Sequence, residues 1–133
     1  MPESPRISPY LTVRGAAEAI DFYRRAFGAE ETGRHMTDDG QRIMHAALTI
    51  NGGTIMLSDE FPEHGGVGPL SLGGTPVSIS LHFDTREAVD ATHQQALDSG
   101  ATTLMDPQDP FWGGRFAMLT DPFGHRWMLV SAH

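Results

Sequence analysis

Cysteine is missing altogether from these 133 residues. Its absence excludes a disulfide framework, a thiolate zinc site and a cysteine nucleophile, and it suits a reducing cytoplasmic setting. No apolar run approaches the ~20 residues a spanning helix requires, and the opening MPESPRISPY has no apolar stretch of the kind that begins a secretion signal. Neither membrane insertion nor export is expected. Basic residues are scarce, 9 Lys+Arg against 17 Asp+Glu, and the resulting formal charge of −8 repels phosphate backbones, so nucleic acid is excluded as a partner. No two histidines lie within five residues of each other, so the chain carries no local metal-binding motif.

What is present is a grammar used twice. Tyr10 to Val13 is a short β-type run leading into Gly15, after which Ala16, Ala19, Ile20, Tyr23 and Phe27 recur at helical spacing until Gly28. Gly15 with Glu18 marks the helix start and Gly28 its stop. Val77 to Phe83 repeats the strand. Asp84 with Glu87 forms a capping-box pattern ahead of Val89, Ala96 and Leu97, and Gly100 closes that helix. Each helix is followed by three strand-like stretches, near 30–37, 42–50 and 54–58 and then near 102–106, 114–120 and 125–131. The last hairpins turn at Asn51-Gly52-Gly53 and at Asp121-Pro122-Phe123-Gly124.

The chain therefore predicts an α+β fold of two βαβββ modules, with curved mixed sheets around a cavity. It reads as one domain over 1–133: module one at 7–58, module two at 77–131, and a Gly/Pro-rich linker at 59–76 that serves as connector or lid.

Strand parity divides the side chains into two faces. Leu11 and Val13 belong with the helices, as do Leu81 and Phe83. Tyr10, Thr12, Ser80 and His82 fall on the opposite, cavity-facing side. The same parity puts His45 there from the third strand and Phe116 and Met118 from the seventh. Trp112 and Arg126 offer an aromatic wall and a fixed positive charge for an anionic or carbonyl oxygen. These nine are the candidate ligand-binding residues. His45 and His82 are the catalytic candidates if there is turnover, which the residues leave open. Among the remaining histidines, His93 is expected to pack or be partly exposed, and His35, His64 and His133 to lie at the surface.

YLTVRGAAEAIDFYRRAFGAE near the start and FWGGRFAMLTDPFGHRW near the end resemble the vicinal oxygen chelate (glyoxalase/bleomycin-resistance/dioxygenase) superfamily over nearly the whole chain. With HAALTINGGTIMLSDE they are most similar to its PhnB-like branch. The resemblance implies homodimers, sometimes with exchanged modules, and in metal-dependent members a divalent ion held by one ligand each from strands one, four, five and eight. Those positions fall at Ser8, Met56 or Leu57, Ser78 and Met128, none of them a ligand such an ion normally takes. A relocated set could draw only on His45, Asp59, Glu60 and His82. No metal and no other cofactor is expected. The function implied is small-molecule binding, with antibiotic sequestration as one form. Lyase or isomerase chemistry on a small carbonyl compound, or metal-dependent glyoxalase- or dioxygenase-like activity, stands as the alternative.

Overall fold

A computed structural model describes residues 5–133; the first four residues of the domain assigned to 1–133 lie outside the described residues. Module one runs β1 (Tyr10–Val13), α1 (Ala16–Phe27), β2 (Glu30–Met36), β3 (Ile43–Ile50) and β4 (Gly53–Asp59). A strap follows, with a 3-10 turn at Pro62–His64 and a one-turn helix α2 (Pro69–Leu72). Module two runs β5 (Ser78–Phe83), α3 (Arg86–Asp98), β6 (Thr102–Gln108), β7 (Arg115–Thr120) and β8 (Arg126–Ser131). The sheets are ordered β1-β4-β3-β2 and β5-β8-β7-β6, each with one parallel pair and two antiparallel ones. The predicted α+β duplication is the observed fold, and β5 begins one residue later than the sequence suggested.

Two helix starts differ from expectation in chemistry. α3 is capped by Thr85, whose hydroxyl accepts from the Ala88 N–H at 3.1 Å. Thr85 is extended as an N-cap must be, and that one-residue shift displaces the expected Asp84–Glu87 box. α1 begins after Gly15, as expected, but its first N–H, on Ala16, is taken by the Asp59 carboxylate at 2.7 Å from the far end of β4. The other oxygen of Asp59 accepts from Ile43 N–H at 2.7 Å, so one side chain ties helix and two strands together.

The helix-bearing faces of both sheets share one core. Leu11, Val13, Leu48 and Leu57 meet α1 from module one, and Leu119, Trp127 and Leu129 come from module two. Phe22, Tyr23 and Phe27 of α1 interlock with Phe123 and Trp127 across the boundary, the Phe27 and Trp127 ring centroids being 4.7 Å apart. Full burial of each such ring is worth roughly 1.5–3 kcal/mol, so this aromatic cluster fixes how the halves sit.

β1 and β5 are the outer strands of their sheets and lie beside each other without a shared ladder. Their free edges are satisfied reciprocally. His125, just before β8, bonds the Thr12 carbonyl at 3.0 Å, and Asn51, just before β4, donates to the His82 carbonyl at 2.6 Å. Because α1 starts at Ala16 and α3 at Arg86, the duplication has an offset of 70, and Thr12 and His82 are equivalent positions. Each module thus caps the other's open strand.

Candidate functional site

The inner faces are the sides of the sheets turned away from the helices. Tyr10 and Met56 face each other across β1 and β4, and Ser80 and Met128 across β5 and β8. Leu57 is fully buried against the helix side, which settles that the inner residue of β4 is Met56. Ser8 precedes β1. The positions from which metal-dependent relatives draw ligands, Ser8, Met56, Ser78 and Met128, are therefore two hydroxyls and two thioethers, and this set does not fit a hard or borderline divalent ion.

The alternative set is pulled apart as well. Asp59 is occupied by the Ala16 and Ile43 amides. Glu60 accepts from Ser71 Oγ and from Gly68 N–H at 2.8 Å, with Arg14 at 3.5 Å. The Ser71 hydroxyl foremost, then the Gly68 amide and Arg14, holds the Glu60 carboxyl below the usual carboxylate range. Among the described residues no three or more His, Asp or Glu side chains group as a metal site.

The space available is a set of adjoining clefts. One of about 490 Å³ runs along the β1–β5 junction, with Tyr10, Ser78, Ser80 and His125 among its walls. A smaller one of about 230 Å³ lies under the strap, between Thr12, Tyr10 and His125 on one side and Val67, Leu72 and Pro76 on the other. A third, about 610 Å³, opens between the strap and sheet two, where Arg126 and Thr120 face Pro69, Leu70 and Leu104. Thr75 lines all three, so the strap is their common wall. Its seating is close: a Cβ on Gly68 would lie 2.5 Å from the Thr12 carbonyl oxygen, and one on Gly124 would lie 2.7 Å from Pro69 Cβ. Only glycine lets backbone approach like this.

Tyr10, Ser78, Ser80 and His125 come together, and His82 lines a separate groove near Asn51 and Ile7, its Nε2 3.3 Å from Ser80 Oγ. His45 stands on the inner face of sheet one, outside the three clefts. Its Nδ1 is 3.1 Å from Tyr10 Oη, and that hydroxyl also bonds the Met44 carbonyl at 3.2 Å. A carbonyl only accepts, so the phenol proton points at Met44. When His45 is neutral its Nδ1 then carries the proton, leaving a free lone pair on Nε2. His35 pairs with His45 across β2 and β3 with rings 6.2 Å apart.

Phe116 and Met118 face inward on sheet two, and Trp112 stacks edge-on against Phe116 at 6.0 Å from an exposed loop. Arg126 lies between Ser78 and Thr120, its register partners on β5 and β7. His93 is buried and bonds Thr103 Oγ1 at 3.0 Å, whereas His35, His64 and His133 are exposed.

His125 is the site residue that sequence reasoning passed over. The signal for it is the dipeptide after the DPFG turn, where an imidazole stands beside the Arg126 charge. The strap residues Gly74 and Thr75 also went unseen, because their place in the site depends on how the strap folds back rather than on any pattern within it.

Two βαβββ modules with this strand order define the glyoxalase/bleomycin-resistance fold. The chain belongs to the Glyoxalase/Bleomycin resistance protein/Dioxygenase superfamily, whose profile matches residues 6–129. It is 50% identical over 128 residues to an uncharacterized protein of Mycobacterium bovis, covering 94% of this chain and 82% of that one. A crystal structure of a Pseudomonas aeruginosa protein superposes with a TM-score of 0.76 at 29% identity, covering 96% of this chain and 98% of the other. A PhnB protein from Bacillus cereus shares the fold at TM-score 0.75 and 24% identity, with 96% and 100% coverage. No helix among the described residues is long and apolar enough to cross a membrane.

Proposed function

We propose that this protein is a PhnB-like small-molecule binder that holds its ligand in the clefts between β1, β5 and the strap, with no metal at the inherited position. Antibiotic sequestration is one form of that activity. The observation that carries the reading is the pairing of a preformed, largely apolar cleft of about 490 Å³ with non-ligating side chains at Ser8, Met56, Ser78 and Met128. A ligand that binds the folded state alone raises its stability by mass action, by about 2.7 kcal/mol at a hundredfold excess over Kd. A small-molecule library followed by melting temperature should yield hits that weaken in Tyr10→Ala; a library with no hits sinks the reading.

Homodimerisation belongs to the same proposal. Phe111 is 98% exposed and Trp112 51%, their rings 5.2 Å apart, and such exposed aromatics suit an interface between two copies. Sedimentation should show a dimer that Phe111→Asp weakens. The cysteine-free composition agrees with a cytoplasmic setting.

The free Nε2 lone pair of His45 supports a second reading, in which that imidazole is a general base in lyase or isomerase chemistry. If a hit compound is turned over, His45→Ala should abolish turnover while leaving binding in place, and unchanged turnover removes His45 from the role.

A further inference from the structure

All nine basic residues of the chain are arginines. Arg14, Arg24, Arg34, Arg42, Arg86 and Arg115 each lie within ion-pair distance of at least one carboxylate. Arg126 has no such partner among the described residues, although it is less exposed to water than most of them. Its Nε is buried with no hydrogen-bond acceptor. Scarcity of carboxylates does not explain this in a chain with 17 acidic residues. An unmet buried donor on a charged group costs stability, roughly 1–3 kcal/mol or more, while the residue as a whole is only partly buried and lines the cleft between the strap and sheet two, where its charge meets no carboxylate.

The surroundings complete the geometry. Ser78 and Thr120 are the direct register partners of Arg126 on β5 and β7, so two hydroxyls flank the guanidinium on the same face of the sheet. Arg126 and Thr120 line a cleft walled by Pro69, Leu70 and Leu104, and Ser78 lines the adjoining cleft at the β1–β5 junction. A guanidinium fork between two hydroxyl donors matches the planar or tetrahedral oxygens of an oxyanion, and the opposite wall suits hydrocarbon. We infer that Arg126, with Ser78 and Thr120, forms an oxyanion-binding subsite, and that the protein's ligand is a small organic acid with an apolar body. This rests on the small-molecule reading above and names the chemical class of the ligand. It runs against the overall negative charge, which by itself would favour a cation.

The test is isothermal titration of the tag-free protein with matched probes: a series of aryl and alkyl carboxylates from benzoate to 2-naphthoate, the corresponding neutral amides, and phenyl phosphate. Carboxylates should bind at least tenfold tighter than their amides in the wild type. Arg126→Gln should erase that preference without weakening the amides, and Arg126→Lys, which keeps charge but loses the fork, should retain part of it. Phenyl phosphate binding in place of the carboxylates, with the same dependence on Arg126, would identify a phosphoryl head as the oxyanion. Amides that bind as tightly as carboxylates overturn the subsite and leave the small-molecule reading standing. Failure of every probe overturns the subsite, and the small-molecule reading falls with it only if the melting-temperature library also yields no hit. An anion preference that survives in a folded Arg126→Gln protein overturns the subsite.

Discussion

The two modules share a plan but divide the labour unequally, and the difference is clearest at one helix position and at the last hairpin turn of each. At the helix offset of 70, Tyr23 of α1 corresponds to His93 of α3, and the Asn51-Gly52 turn between β3 and β4 has its counterpart in the turn that Asp121 opens between β7 and β8. Tyr23 reaches out of its own module and donates to Asp121 Oδ2 at 2.6 Å, where Trp127 Nε1 also donates at 2.9 Å. His93 stays at home with Thr103, and Asn51 sits in an exposed turn with φ 51°, reaching the edge of β5. The buried latch between halves therefore exists once. α1 buries six residues, α3 only three. Duplication preserved the order of elements, and the asymmetric latch determines how the copies dock.

The strongest way to break this comparison is to remove the latch. Asp121 is buried and accepts from Tyr23, Trp127, Phe123 N–H and His125 N–H, so Asp121→Ala strands four donors at once. Loss of a buried charged acceptor of this kind costs about 3–5 kcal/mol. In the first module's turn, Asn51→Ala removes one exposed hydrogen bond and should cost about 1 kcal/mol or less. Urea unfolding of both variants checks the ratio; equal losses would mean that the two turns carry the same load. Because His125 is positioned by Asp121, Asp121→Ala should also disturb the cleft at the β1–β5 junction, seen as weaker ligand binding.

The fold was legible in the sequence because it rests on short-range signals: period 3.6 in AAEAIDFYRRAF, alternation in β1 and β5, Asn51-Gly52 and DPFG at the turns. Parity alone placed Tyr10, Thr12 and Ser80 on inner faces. Parity could not say which inner residues share a cleft, since that depends on how two sheets meet edge to edge. It therefore grouped His45 with Ser80, although His45 lies outside the clefts. The roles of Asp59 as helix cap and Asp121 as latch were invisible for the same reason, their partners being 43 and 98 residues away. As a candidate ligand, Asp59 looked free in the sequence only because its amides were out of view.

A finer test uses the opposite titrations of Tyr23 and His93. Burial first, then the charge and hydrogen bond of Asp121, pushes the Tyr23 phenol well above its usual value. The folded state then holds that proton after the unfolded chain has released it, so stability is full below about pH 10 and falls as pH rises beyond it. Tyr23→Phe should cost about 1 kcal/mol at neutral pH and flatten this alkaline decline.

Burial lowers the His93 pKa against the opposing pull of Asp106 and Asp90, so the sign is reversed. The unfolded chain takes up a proton near pH 6.5 that the folded chain resists, and stability is full above that value and lost as pH falls below it. His93→Gln can still bond Thr103 without titrating, and should flatten the acid limb between pH 7 and 5 while leaving the alkaline limb unchanged. Chemical denaturation of wild type and both variants across pH 5–11 separates the two contributions. If His93→Gln left the acid limb as steep as before, some other group would be responsible for it, and the two equivalent helix positions would no longer differ in the way their hydrogen bonds require.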